Sequence, residues 1–189
     1  WIWSAAENKA RQVTAELFNE YAPAWDPEGN YLWFLGDREY APIISASEFN
    51  YATARNTLIY GLALRKDVKN SFAPEDDQVQ IQDEKEAGEK KADDKKPEEK
   101  KSIHIDFDGI SARVVRVPVP AANYGSLTAV KGHLVYVKAG NPYYGRESET
   151  QPAIQIFSLK DRKETTLADG AGGYATSFDG SKMLVRQGG

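Results

Sequence analysis

The sequence predicts an all-β protein, a partial β-propeller of about three to four blades of four-stranded antiparallel sheets with a charged disordered insertion. Continuous apolar and aromatic runs of strand length point to buried strands, in a chain of 189 residues that is 41% hydrophobic and 11% aromatic. A turn with an acidic residue and a glycine occurs more than once. Strand, turn and strand units recur at roughly 40 to 50 residues, which is typical of propeller blades. A sandwich of regular strands is the alternative.

The first unit is "YAPAWDPEGNYLWFLGDRE", which starts at Tyr21. Proline disfavours helix for the residue before it, so Ala22 belongs to an extended entry strand. Pro27 and Gly29 are placed where a tight turn needs a fixed φ and then a permissive residue. The segment "NYLWFLG" contains a short, continuous apolar and aromatic run, which predicts a buried strand that ends at Asp37.

The same unit recurs near the other end of the chain. In "GYATSFDGSKMLVRQGG", residues 173–189, the pair Asp179-Gly180 aligns with Glu28-Gly29. A weaker copy lies at residues 127–137, with Gly132 at the turn. The segments that precede the turns match as well: "WIWSAAENKARQVT" and "IQIFSLKDRKETTL" each read as strand, polar turn and strand. Each blade buries both faces against its neighbours, so its central strands are expected to be apolar without alternation.

A tract of mixed charge interrupts the predicted blades. Between residues 75 and 101 there are 11 acidic and 7 basic residues, which leaves 17 of each sign elsewhere. Residues 82–101 have no apolar face and cannot offset the entropy of ordering, so we expect a solvated insertion rather than a docking motif. The predicted division is blades at 1–73, the charged low-complexity insertion at 74–101, and further blades at 102–189. The flanking segments "LALRKD" and "IHIDFDG" could pair as neighbouring strands.

Composition excludes several classes of function. The charge outside the tract is balanced, so no nucleic-acid-binding surface is indicated. The chain has no cysteine, which excludes disulfides, thiol catalysis and zinc-thiolate sites. No run approaches the roughly 18 apolar residues of a membrane span. The first residues lack both a signal-peptide pattern and an initiator methionine, so we expect a piece of a longer protein.

No catalytic, cofactor-binding or metal site is predicted, and no cofactor is expected. No G-x-S-x-G, H-E-x-x-H or P-loop pattern occurs. His104 alternates with isoleucines and is expected to face outward from a strand, and His133 follows the turn glycine and is expected to face solvent. Asp106 and Asp108 are spaced as in a calcium loop but lack further ligands at fixed spacing. Residues 170–173, "GAGG", are expected to form a flexible loop between strands rather than a phosphate-binding loop.

The segment "PAWDPEGNYLWFLGDREYAP" resembles the propeller repeat of TolB-like and tricorn-type proteins. The segments "LALRKDVKNSFAPEDD" and "IHIDFDGISARVVRVPVPAANYGSL", separated by the charged tract, are similar to the connection in bacterial tricorn protease homologues. The chain is therefore identified as a member of the tricorn protease family, from the propeller region that precedes the catalytic part. Asp26, Glu28 and Gly36 depart from the usual repeat, and the last copy lacks the turn proline, without disturbing the turn chemistry.

The resemblance implies a multidomain serine peptidase whose propellers gate or guide peptides to a catalytic region outside this chain. It also implies remaining domains of the parent chain as partners, a homo-oligomer, and, for a bacterial parent, the periplasm rather than the cytoplasm. A non-catalytic TolB-like propeller that binds proteins is the alternative, and a propeller of the prolyl-oligopeptidase type is a third possibility. Trp25 and Trp33 are predicted to be structural residues inside a blade, with an aromatic lining for peptide as the alternative.

Overall fold

The computed structural model describes residues 1–15, 17–39, 43–44, 51–52, 56–74, 103–140, 148 and 150–187, with the backbone alone at 43–44 and 51–52. The predicted fold class is confirmed, because these residues form antiparallel strands joined by turns and one short 3-10 helix, Ile110–Arg113. The strands, in chain order, are β1 Ile2–Ser4, β2 Lys9–Arg11, β3 Asn19–Trp25, β4 Tyr31–Asp37, β5 Ile43–Ile44, β6 Tyr51–Ala52, β7 Leu58–Ala63, β8 Val114–Arg116, β9 Asn123–Val130, β10 His133–Ala139, β11 Ala153–Ser158, β12 Lys163–Asp169, β13 Ala171–Thr176 and β14 Met183–Gln187.

Two of the sheets have four strands. The first, called blade 1, has the order β3-β4-β7-β8, and the second, called blade 2, has the order β9-β10-β11-β12. A two-stranded sheet stands at each end of the series: β1-β2, the N-terminal half-blade, and β13-β14, the C-terminal half-blade. The small hairpin β5-β6 lies between β4 and β7 in the chain.

The turns at Glu28-Gly29 and Asp179-Gly180, predicted to be copies of one unit, also share their hydrogen bonds. In both copies the first turn residue exchanges bonds with the fourth and the sixth residue, and the glycine has a positive φ of 71° in one copy and 67° in the other. The weaker copy differs, since Lys131-Gly132 form a tight two-residue turn. The equivalent bonds are Asp26 N to Tyr31 O at 3.1 Å, Gly29 N to Asp26 O at 2.9 Å, Ser177 N to Lys182 O at 2.9 Å and Gly180 N to Ser177 O at 2.9 Å.

The outer hairpins repeat in the same way. In β1-β2 and in β11-β12 a serine ends the first strand, and its hydroxyl accepts the backbone N–H three residues later. The next residue has a positive φ and leads into a lysine that starts the second strand. The bonds are Glu7 N to Ser4 Oγ at 3.4 Å and Asp161 N to Ser158 Oγ at 3.1 Å, and the positive φ values are 49° at Asn8 and 53° at Arg162.

The core consists of layers between successive blades. Side chains of β4 alternate between two of them: Trp33 and Leu35 pack toward blade 2, while Leu32 and Phe34 pack toward the N-terminal half-blade. A third layer lies between blade 2 and the C-terminal half-blade and includes Val135. Because both faces are covered, six successive residues of β4 and all of β7 are buried, as the unbroken apolar runs predicted.

The connection between β7 and β8 corrects one prediction. The segment from Ile103 to Gly109 is not a strand, and β7 pairs instead with Val114–Arg116. Gly109 has a φ of 65° and starts the 3-10 helix, so the chain turns before it reaches the sheet. Asp106 still docks beside the end of β7, since its N–H donates to Leu64 O at 2.9 Å. Residues 75–102 lie outside the described residues, so the disorder and the boundaries of the insertion stay predictions.

Candidate functional site: the inner edge of the blades

The first strands of successive blades converge. β3, β9 and β13 each form one edge of their sheet, and β3 contacts β9 directly. The Tyr174 hydroxyl on β13 reaches Ser126 O on β9 and donates to Val135 O at 2.7 Å. Burial raises the pKa of Tyr174 to about 12. Blades meet closest at a propeller axis, so we call these three strands the inner edge.

Each inner strand has an irregular register with its neighbour. In β3 the register shifts between Tyr21 and Ala24. In β9 it shifts opposite Val135 to Val137 of β10, and in β13 it shifts between Ala171 and Gly173. Ala22 has a φ of 50° and Ser126 a φ of 52°, which is uncommon for residues other than glycine. Bulges of this kind bend a strand and redirect its side chains.

The side chains exposed at the inner edge include two large aromatics. Tyr21 is 37% exposed and Trp25 is 45% exposed. The prediction of a structural tryptophan buried inside a blade is therefore confirmed for Trp33, which is 0% exposed, whereas Trp25 belongs to β3 of blade 1 but its ring is not buried between blades. Trp25 lies on an edge strand beside the turn, whereas Trp33 lies on a central strand between two blades.

A polar network fixes one end of the inner edge of blade 1. The Asp37 carboxylate accepts hydrogen bonds from Thr57 Oγ1 at 3.0 Å and from Asn19 Nδ2 at 3.0 Å. The Tyr21 hydroxyl is 3.1 Å from Thr57 Oγ1 and 3.4 Å from Asp37 Oδ1. Thr57 is buried, so the network is shielded on one side and holds the Tyr21 ring in place.

A charged cluster accompanies this network at the same ends of β3 and β4. Glu20 and Arg38 form an ion pair whose side chains are 13% and 21% exposed. The Arg38 guanidinium carbon lies 4.7 Å from the ring centre of Tyr60, 5.2 Å from that of Phe18 and 5.7 Å from that of Phe34. Burial raises the pKa of Tyr60, and the Arg38 charge opposes the increase. Such a cluster of an ion pair and aromatic rings stabilises the ends of β3 and β4.

The polar residues around Asp106, which the sequence analysis weighed and did not assign to a site, bind one another. His104 is exposed, and its Nε2 lies 3.0 Å from Asp106 Oδ1. Asp106 Oδ2 accepts the Lys66 N–H at 2.9 Å, and Asp108 accepts Lys66 Nζ at 2.7 Å. The Lys66 N–H lowers the pKa of Asp106, and the Lys66 ammonium lowers that of Asp108. Within the described part of the chain, no three His, Asp or Glu side chains converge in a way that could hold a metal ion.

The other two candidates take structural positions. His133 is half-buried, begins β10, and its Nδ1 lies 3.1 Å from Lys131 O. The "GAGG" segment is not a flexible loop: Gly170 is a turn residue with a φ of 65°, and Ala171 to Gly173 are the first residues of β13. The strand continues there because Ala171 is buried in the layer against blade 2.

The repeated blades with converging inner strands define a β-propeller protein. A sequence profile for the tricorn protease second beta propeller domain matches residues 2–189, so the chain belongs to that family. Within the described ranges, no helix is long and apolar enough to cross a membrane.

Known relatives support this assignment. The chain is 24% identical over 182 residues to a tricorn protease homolog of Saccharolobus solfataricus, with 95% of this chain and 15% of the relative covered. It is 25% identical over 185 residues to tricorn protease homolog 1 of Streptomyces coelicolor, with 92% and 16% covered. The crystal structure of the tricorn protease superposes with a TM-score of 0.71 at 18% identity, covering 98% of this chain and 17% of that one, which demonstrates the shared fold. The chain thus spans about a sixth of the length of these proteins.

Proposed function

We propose that this chain is the propeller region of a tricorn-like serine peptidase and guides peptide substrates to a catalytic region outside it. The observation that carries the proposal is the inner edge, where Tyr21 and Trp25 are exposed along a bulged edge strand. Edge strands present unpaired backbone N–H and C=O groups, which an extended peptide of any sequence can bind. Aromatic faces add contact area that does not depend on the peptide's charge.

The test is made in the intact peptidase with peptides of increasing length. We expect Trp25→Ala to raise KM for long peptides several-fold and to leave kcat unchanged, because the residue contributes to binding and not to the chemical step. Leu167→Ala is the matched control, since Leu167 is 48% exposed on the outer strand β12. Equal KM values for both variants and the unaltered enzyme would contradict the guiding role.

The 189-residue chain by itself is expected to show no peptidase activity. Cleavage of a peptide bond requires a nucleophile within reach of a base, and the resemblance assigns those residues to another region. Turnover of a fluorogenic peptide by the purified chain that is lost in the Ser126→Ala variant would contradict this reading, whereas turnover unchanged by that substitution would indicate a contaminating peptidase.

The alternative is a non-catalytic TolB-like propeller for protein–protein interaction. The coding sequence downstream discriminates between them: a PDZ-like segment and catalytic region would support the peptidase, and a stop codon after ring closure would support the binding module. We further propose that the other domains of the parent chain and additional copies are its partners, and that a bacterial parent works in the periplasm.

A further inference from the structure

Residues 65–73, which follow β7, run from the end of blade 1 onto blade 2, and we call them the strap. On blade 1, the Tyr31 hydroxyl donates a hydrogen bond to Lys69 O at 2.7 Å. On blade 2, the Arg162 guanidinium donates to Ala73 O at 3.0 Å. The strap is therefore hydrogen-bonded to both blades, although none of its residues belongs to a strand.

One aromatic side chain of the strap lies between the two blades. The ring centre of Phe72 is 6.2 Å from that of Trp33 on β4 and 6.2 Å from that of Phe157 on β11. The Asn70 carboxamide oxygen accepts the Phe72 N–H at 2.9 Å and fixes the backbone there. Tilted and edge-to-face rings at this distance attract one another, so Phe72 joins the buried core of blade 1 to that of blade 2.

The start of the strap is anchored on blade 1. Arg65 donates to Gly29 O at 3.2 Å and to Asn30 Oδ1 at 3.0 Å, and both acceptors lie in the turn before β4. The Lys66 N–H donates to Asp106 Oδ2 at 2.9 Å, so the segment that leads back to β8 holds the strap as well. These bonds fix the place where the strap leaves blade 1, and its far end makes the contacts with blade 2.

The other end of β7 joins the blades in a different way. Thr57 precedes β7 and Ala122 precedes β9, and their backbones exchange hydrogen bonds of 3.2 Å in both directions. The chain also passes from blade 1 to blade 2 at this end, through residues 117–122. The blades are thus covalently joined near Thr57, whereas the strap joins them at the other end of β7 by noncovalent contacts.

We propose that the strap holds blade 1 and blade 2 together at one end and can release them: when Phe72 leaves its position, the blades separate at the strap and stay joined at the Thr57–Ala122 bridge. Phe72 is half-buried, while the rings that it joins, Trp33 and Phe157, are 0% and 1% exposed. Because the strap has no sheet pairing, Phe72 can leave without breaking a ladder of backbone hydrogen bonds, and such segments open at low cost in free energy. The proposal does not depend on the peptide-guiding role.

Release of the strap would act on the inner edge of the same two blades, where β3 contacts β9. Arg65 bonds to the turn that follows β3. Leu159 N donates to Gly132 O at 3.0 Å, which places the β11-β12 turn, and Arg162 in it, beside the turn that follows β9. The strap thus lies at the turn ends of β3 and β9, so its release would widen the gap between those ends while the starts of the two strands stay together.

Thiol labelling of the intact parent protein tests the proposal, with mass spectrometry of the labelled peptides so that other thiols do not interfere. Ala63→Cys reports on the strap end of the layer between the blades, because Ala63 is 4% exposed at the end of β7. Ala122→Cys reports on the bridged end, because Ala122 is 6% exposed in the same layer. We expect Phe72→Ala to speed up labelling of Ala63→Cys by about tenfold, which corresponds to about 1.4 kcal/mol, and to leave labelling of Ala122→Cys unchanged.

Two further variants separate the role of the Phe72 ring from a general loss of stability. Phe72→Tyr keeps the ring and should keep labelling of Ala63→Cys slow. Phe178→Ala is the matched control, since Phe178 is fully exposed, and it should change labelling at neither cysteine. Circular dichroism checks that each variant is folded. Equal acceleration at both cysteines, which indicates general loosening, or unchanged labelling of Ala63→Cys in Phe72→Ala would overturn the proposal.

Discussion

Blades 1 and 2 reach the same four-stranded order along very different lengths of chain. Blade 2 spans residues 123–169, with a two-residue turn between its first strands. Blade 1 is interrupted between β4 and β7, and again between β7 and β8, where the charged tract is inserted. The entropic cost of closing a loop increases only slowly with its length, so long insertions between strands are tolerated. Packing between blades, rather than loop length, therefore determines which strands pair in the sheet.

The two blades also fill equivalent positions between blades with different side chains. On the face of the second strand that points to the next blade, blade 1 has Trp33 opposite Gly61, and blade 2 has Val135 opposite Ile156. A Cβ at Gly61 would lie 2.5 Å from Cζ3 of Trp33, so the large ring requires the glycine. The comparison shows that the two blades preserve the combined side-chain volume of a pair of residues on adjacent strands, and not the residue types.

Removing the ring of Trp33 should have the largest effect on stability. We expect Trp33→Ala to lower the free energy of unfolding by about 3–5 kcal/mol, because a fully buried ring leaves a cavity. Urea unfolding of the intact parent measures it, and Trp25→Ala, which removes a half-exposed ring, is expected to have a much smaller effect. If Trp33→Ala left stability unchanged and raised KM for peptide, Trp33 would contact substrate and its structural assignment would be wrong.

Replacing the Trp33–Gly61 pair of blade 1 by the valine–isoleucine pair of blade 2 tests whether the two pairs are equivalent in packing. Gly61→Ile alone should destabilise blade 1 by about 1–3 kcal/mol or more through overpacking against Trp33. Trp33→Val together with Gly61→Ile reproduces the pair of blade 2 and should recover part of the loss. The measurement is a double-mutant cycle by urea unfolding, and additive effects of the two changes would contradict direct packing.

Shortening the insertion of blade 1 should have a smaller effect. Deleting residues 82–101, which are outside the described residues, is expected to change stability by only about 1 kcal/mol, because closure entropy depends weakly on length. Thermal unfolding of the parent measures the change. A loss of more than about 10 °C in Tm would show that the segment packs on the blades.

The smallest expected effect concerns the turn of the C-terminal half-blade. The hydroxyls of Ser177 and Ser181 and the Ser181 N–H hold the pKa of Asp179 at about 2, below its ordinary value of 3.8. Because the folded pKa is the lower one, this stabilisation is present above about pH 4 and is lost as the pH falls through about 2. Asp179→Asn should flatten that part of the stability profile. NMR titration that gives an ordinary pKa would contradict the hydrogen bonding.

Local sequence determined the turns and the buried central strands. The pattern from Asp26 to Gly29 was sufficient because its hydrogen bonds and positive φ involve neighbouring residues only, and the copy at Asp179-Gly180 has the same geometry. The unbroken run from Tyr31 was sufficient for β4, because only a strand covered on both faces can be wholly apolar at that length.

Only the tertiary structure decided which partners those elements have. The pairing of β7 with Val114–Arg116, across a long insertion, depends on contacts that no short segment contains. The same is true of Trp25, which differs from Trp33 in exposure because one lies on an edge strand and the other between blades. The inner edge likewise exists only in the assembled blades, where β3 contacts β9 and Tyr174 of β13 reaches Ser126 O of β9, since a strand's distance from the propeller axis is set by the whole arrangement of blades.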